Sequence, residues 1–129
     1  MPRHQIHRPK FTTMADGTDA VLTIHELTGD RDGPTIGISG SIHGNENAGS
    51  QIVRALWPHL AEADIAGRLL LLPVANPRAF AVNKRFTPVY ELNLNRQFPG
   101  DTSGWFTDHL AAATTAESLE KSDIHMHLH

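Results

Sequence analysis

Arg68–Val74 (RLLLLPV) is a near-continuous apolar run. Side chains of a strand alternate between its two faces, so a strand can be apolar at every position only when both faces are covered. Asn76-Pro77 follows, a pair that favours turns and ends the run. Such a strand needs neighbours on each side and helices above and below. The rest of the chain offers them. Asp19–Leu27 (DAVLTIHEL) reads as a strand, with Gly29–Gly33 as the turn behind it. Pro34–Ile42 (PTIGISGSI) reads as another, and its small residues Gly37, Gly40 and Ser41 imply close backbone approach. Glu46–Leu60 has helical spacing, with Ile52, Val53, Leu56 and Leu60 on one apolar stripe. Pro58 is expected to kink that helix or to start a second piece.

Arg78–Gly100 is a long polar stretch, of the kind that in compact domains is usually functional or disordered. Asp101-Thr102-Ser103 supplies N-cap residues for a helix over Gly104–Lys121, in which Phe106, Leu110 and Ala113 share a face. Asp123–His129 (DIHMHLH) opens as a further strand, and Met1–Gly17 reads as a loose or edge segment. Strands alternating with helices predict an α/β fold, a mixed sheet with flanking helices.

Composition excludes several functions. The 129 residues are 40% hydrophobic and 19% charged, which describes a globular chain rather than a disordered one. A net charge of -3 gives no basic footprint, so nucleic acid is not expected as a partner. No apolar run approaches the ~20 residues of a membrane span, and the polar start is no secretory signal. No membrane partner and a cytoplasmic location are expected. The chain has no cysteine, so any metal must be held by His, Asp or Glu.

His43 and Glu46 form an H-x-x-E pair at the expected strand-to-helix junction, with Gly44 to let the backbone turn between them. Ligands of open α/β sheets bind at the carboxyl ends of strands. A His2Glu set with an open position is a known catalytic zinc arrangement. The bare pattern is weak: His59 and Glu62 repeat it with no strand or glycine before them, and they read as solvated surface. His125, His127 and His129 alternate, so a strand there puts all three imidazoles on one face.

Four segments in order, GSIHGNENAG (Gly40–Gly49), VANPRAF (Val74–Phe80), KRFTP (Lys84–Pro88) and LNLNRQFPG (Leu92–Gly100), resemble the succinylglutamate desuccinylase/aspartoacylase branch of the zinc carboxypeptidase-like hydrolases. The resemblance runs from about Pro34 to His129. It implies a carboxypeptidase-like sheet and a Zn2+ cofactor with His43 and Glu46 as the first two ligands. It implies Arg85 as the residue that polarises the scissile carbonyl, and Asn95 and Arg96 as the pair that holds a substrate carboxylate. The third ligand is His129 if the segment is aligned on its strand, or His125 if it is aligned on Asp123-Ile124-His125. A strand-end ligand needs strand residues before it, which favours His129. His127 then stands where the family usually has an aspartate. The expected activity is zinc-dependent hydrolysis of the amide of an N-acyl amino acid or a similar small carboxylate-bearing substrate. The alternatives are a peptidase of the same fold, or a metal-binding chain without turnover. Family members continue past this point and supply a general-base glutamate there. The expectation is therefore that residues 1–129 are the amino-terminal part of a hydrolase domain, with an incomplete sheet and no activity alone. The oligomeric state is not legible.

Overall fold

A computed structural model describes residues 1–88 and 90–129. Seven strands and three α-helices follow in the order β1 (Arg3–His7), β2 (Lys10–Thr13), β3 (Asp19–Val21), β4 (Ile24–Thr28), β5 (Arg31–Gly40), α1 (Ala48–Ala61), β6 (Ala66–Leu72), α2 (Pro77–Ala81), α3 (Phe106–Thr114) and β7 (Ile124–Leu128). Five strands form one sheet in the order β1-β4-β6-β5-β7, and β2 and β3 form a separate ribbon. β4 is antiparallel to β1 and to β6, whereas β5 is parallel to β6 and to β7. The sheet is mixed and carries helices on both faces, as expected.

β6 explains the apolar run. It lies between β4 and β5. Leu70 and Leu72 enter one core with Leu22, Ile24, Leu94 and Leu110. Leu71 enters the other with Ile38 and Val53, flanked by Leu69 and Trp57. Leu70, Leu71 and Leu72 are at most 2% exposed, and burying each contributes roughly 1.5–3 kcal/mol. The α1 and α3 helices therefore cover opposite faces.

Four local expectations are corrected. Asp19–Leu27 is two strands, not one. β1 pairs with β4 as far as His7↔Ile24, and the ladder resumes in the ribbon at Lys10↔Val21. Pro9 lies between, and a proline cannot donate to a ladder. The facing break falls at Leu22-Thr23, where the Leu22 N–H donates to the Pro9 carbonyl instead.

On α1 the buried line is Gly49, Ser50 and Val53, continued by the partly buried Trp57 and Leu60. Ile52 and Leu56 of the expected stripe are 47% and 40% exposed. The helix runs through Pro58 to Ala61, so no second piece starts there. The third helix starts at Phe106 rather than Gly104. Asp101 closes a turn on Ser103, and it is Asp108 that reaches back to accept from the Trp105 N–H at 3.0 Å. Beyond Thr114 the backbone widens into a π turn over Thr115–Leu119.

The small residues of β5 do mark close approach. A Cβ at Gly40 would lie 2.8 Å from the Ser50 nitrogen, and one at Gly49, in the first turn of α1, would lie 2.5 Å from the Leu128 carbonyl oxygen. That packing brings the start of α1 onto the carboxyl ends of β5 and β7.

Candidate metal centre

The junction between β5 and α1 is built from its backbone outward. Gly40 ends the strand. Ser41 turns the chain with a left-handed φ of 54°. His43 follows, and the Glu46 N–H closes a turn onto the His43 carbonyl at 3.1 Å. Gly44 is required there, since a Cβ would lie 2.1 Å from the Ala79 carbonyl carbon. α2 thus packs directly against the turn. Asn76 caps α2 by accepting from the Ala79 N–H at 3.2 Å.

The turn points both side chains to one place. His43 Nδ1 lies 3.1 Å from Glu46 Oε2. His129, just beyond β7, sets its Nε2 3.4 Å from the same oxygen. His43, Glu46 and His129 each offer one ligand atom, and these atoms all lie within 4.8 Å of one another. No other such group of three occurs among the described residues. The His43 side chain is 1% exposed, Glu46 31% and His129 53%, so the group is walled on one side and open on the other.

Asn93 decides the chemistry of His43, and sequence reading did not single it out. Its Oδ1 accepts from the Asn95 N–H at 3.0 Å. The same oxygen faces His43 Nε2 at 2.9 Å. An oxygen cannot donate, so Nε2 carries a proton, and a ring with only that proton presents a lone pair at Nδ1. That lone pair faces a carboxylate oxygen. Two acceptors 3.1 Å apart repel unless a cation sits between them or the ring takes a second proton. Ligands on one tetrahedral zinc, with bonds of ~2.0–2.1 Å, lie about 3.3 Å apart. The two separations from Glu46 Oε2, 3.1 and 3.4 Å, suit that ion, with the two imidazoles' ligand atoms inside 4.8 Å of each other, and a far ring nitrogen that donates to an oxygen is the usual outer support of a metal-bound imidazole.

Burial alone would raise the Glu46 carboxyl. It is outweighed by the hydrogen bond and charge that a doubly protonated His43 supplies when no cation lies between the two groups, by the charge of His129 and by a hydrogen bond from Arg85, which together hold it below the ordinary carboxylate range. Glu46 is therefore ionised at neutral pH.

The other expected site residues are placed as follows. Arg85 reaches the centre, donating from Nη1 to Glu46 Oε1 at 2.7 Å. Asn95 and Arg96 are exposed. Arg96 Nη1 donates to the Asn95 carbonyl at 3.3 Å, and among the described residues no hydrogen bond joins either side chain to His43, Glu46 or His129. His125 and His127 lie on the same face as each other but inside the sheet. His125 faces Ser118 Oγ at 3.3 Å and His127 faces Ser39 Oγ at 3.0 Å. Burial lowers the pKa of both rings, and at His127 neighbouring histidine charges add to it. The structure brings His129, not His125, to the H-x-x-E pair. His59 and Glu62 are exposed.

The sequence profile of the succinylglutamate desuccinylase/aspartoacylase catalytic domain matches residues 32–129. The chain belongs to this family. Every residue named above at the centre lies inside the desuccinylase/aspartoacylase match, and β1 to β4 lie outside it. The chain is 35% identical over 98 residues to N-alpha-acetyl-L-2,4-diaminobutyric acid deacetylase of Halomonas elongata, covering 76% of this chain and 29% of that protein. Its fold is similar to the crystal structure of an aspartoacylase family protein from Mesorhizobium loti (TM-score 0.89, 32% identity), over 100% of this chain and 41% of that one. It is also similar to a succinylglutamate desuccinylase/aspartoacylase from Rhodobacter sphaeroides (TM-score 0.85, 26% identity), over 98% of this chain and 39% of that one. The chain thus spans well under half the length of these relatives. Among the described residues no helix is long and apolar enough to cross a membrane.

Proposed function

We propose that this chain holds the catalytic zinc of an amide hydrolase that removes the acyl group from an N-acyl amino acid or a similar carboxylate-bearing small molecule. The observation that carries the reading is the His43–Glu46–His129 group, with the His43 tautomer set by Asn93. The named activity of the Halomonas relative, a deacetylase, supports the reaction class.

His43 through Nδ1, Glu46 and His129 are the proposed ligands. Zinc held there supplies Lewis acidity and lowers the pKa of its water to ~7, which provides a nucleophile at neutral pH. Arg85 sits at the rim with its guanidinium against Glu46. Its proposed role is to stabilise negative charge developing on the carbonyl oxygen, an effect worth about 3 kcal/mol per donor. Asn95 and Arg96 present exposed amide and guanidinium groups on the same loop. A guanidinium fork matches a carboxylate bidentately, so their proposed task is to bind the carboxylate of the substrate.

The test, run on the complete hydrolase domain, is release of free amine from a panel of N-acyl amino acids, with unacylated dipeptides as the rival substrates, in the presence and absence of zinc. Zinc-dependent deacylation that His43→Ala abolishes, and that Arg96→Ala impairs mainly through KM, is the expected result. Preference for dipeptides, or turnover indifferent to zinc, would contradict it.

A further inference from the structure

The loop between α2 and the 3-10 turn Leu94–Arg96 touches the metal-holding pair twice from outside. Arg85 meets the far oxygen of Glu46, and Asn93 meets the far nitrogen of His43. Both contacts depend on where the neck of the loop lies. Thr87 and Leu92 close that neck as an antiparallel bridge, with the Thr87 N–H donating to the Leu92 carbonyl at 2.9 Å.

Asn76 lies against this neck and is 0% exposed. Its Nδ2 donates to Thr87 Oγ1 at 3.0 Å, and its Oδ1 caps α2. Its N–H donates to the Ser41 carbonyl at 3.0 Å, and its carbonyl accepts from the Phe80 N–H at 3.0 Å. Ser41 stands two residues before His43, and Thr87 stands two after Arg85. One residue therefore ties the β5–α1 junction, the start of α2 and the neck of the loop. A cap alone needs only an acceptor, which Ser, Thr or Asp provides as well. What a carboxamide adds is the Nδ2 donor, and that donor is used on Thr87.

We propose that Asn76 is a positioning residue for the metal centre: through Thr87 it holds the Arg85–Asn93 loop against Glu46 and His43. The proposal rests on the reading of His43, Glu46 and His129 as metal ligands. Its consequence is that zinc affinity depends on a hydrogen bond whose partners touch neither the metal nor its ligands.

Zinc affinity measured by competition with a chromophoric chelator tests this without any need for turnover. Thr87→Val removes the acceptor and keeps the shape, and it should weaken zinc binding about tenfold, the lower end of what lost outer supports cost. Thr87→Ser restores the oxygen and should return affinity to within about twofold of the parent on the same scale. Ile24→Val and Ile24→Ala, in the core on β4, bracket the loss of stability that Thr87→Val brings and should leave zinc affinity unchanged. Wild-type affinity in Thr87→Val, or an equal loss in the Ile24 variants, overturns the proposal. His43→Ala is the reference. If it binds zinc as the parent does, the ligand assignment itself falls and takes the proposal with it, an outcome distinct from a failure at Thr87 alone.

Discussion

The proposed ligand role of His43 depends on a residue fifty positions away. Without Asn93 the imidazole of a buried histidine is free to carry its proton on either nitrogen, and the tautomer with Nδ1–H satisfies Glu46 without a metal. Asn93 Oδ1, itself fixed by the Asn95 N–H, removes that choice. Asn93→Ala should therefore weaken zinc binding about 10- to 100-fold with the fold retained, and Asn93→Asp, which keeps the acceptor, should lose much less. Isothermal titration of both variants with zinc measures the difference. Equal affinities in the parent and Asn93→Ala would show that the tautomer is set by something else. This residue was not legible in the sequence. His43 and Glu46 declared themselves by spacing and by the glycine between them, whereas Asn93 acquires its role only when the loop folds back across the end of β5. Arg85 could be named from its motif, but its contact with Glu46 rather than with open solvent belongs to the same fold-back.

At the scale of elements, the parts that were legible are those whose side-chain period is unopposed. β6 is apolar at successive positions because both faces are covered. β7 shows its alternation of histidines, and β5 shows its small residues. Two of the misreadings have a common physical origin, since a partner distant in sequence decided them, while the start of α3 is a local choice between two aspartates. Pro9 breaks the strand expected over Asp19–Leu27. The packing of Gly49 on Leu128 turns α1, so that Val53 and Trp57 face the sheet and Ile52 and Leu56 do not. Asp108, not Asp101, starts α3. The junction between β5 and α1 is the element on which the site depends most. A Cβ at Gly44 would come 2.1 Å from the Ala79 carbonyl carbon and 2.3 Å from its oxygen, and backbone atoms cannot swing aside as a flexible side chain does. Gly44→Ala should push α2 off the turn, lower the melting temperature by several degrees, as a loss of ~1–3 kcal/mol does in a domain of this size, and lower zinc affinity with it. Differential scanning calorimetry with and without zinc reads both effects. A variant that melts and binds like the parent would mean that α2 does not press on the turn.

For the whole molecule, the sheet gathers its titratable groups unevenly. Burial holds His25, His125 and His127 below the ordinary histidine range, and neighbouring positive charge adds to this at His25 and His127. The unfolded chain takes up protons near pH ~6.5 that the folded chain resists, so the unfolded state binds more of them as the pH falls. Their contribution to stability is complete above about pH 6.5 and is lost as the pH drops towards the lower folded values. Urea unfolding with metal removed by chelation should show stability falling between about pH 7 and 5, before the carboxylates titrate. A flat or rising profile would contradict the burial of these rings. Above all, β5, α1 and β7 are proposed to converge so as to hold one zinc. Anomalous diffraction at the zinc edge from crystals grown with stoichiometric zinc tests it most directly. A single peak is expected, bonded to His43 Nδ1, a Glu46 carboxylate oxygen and His129, with Asn93 still on His43 Nε2. A peak at His59 and Glu62, at His4 and His25, or on His43 through Nε2 with Asn93 displaced would contradict it.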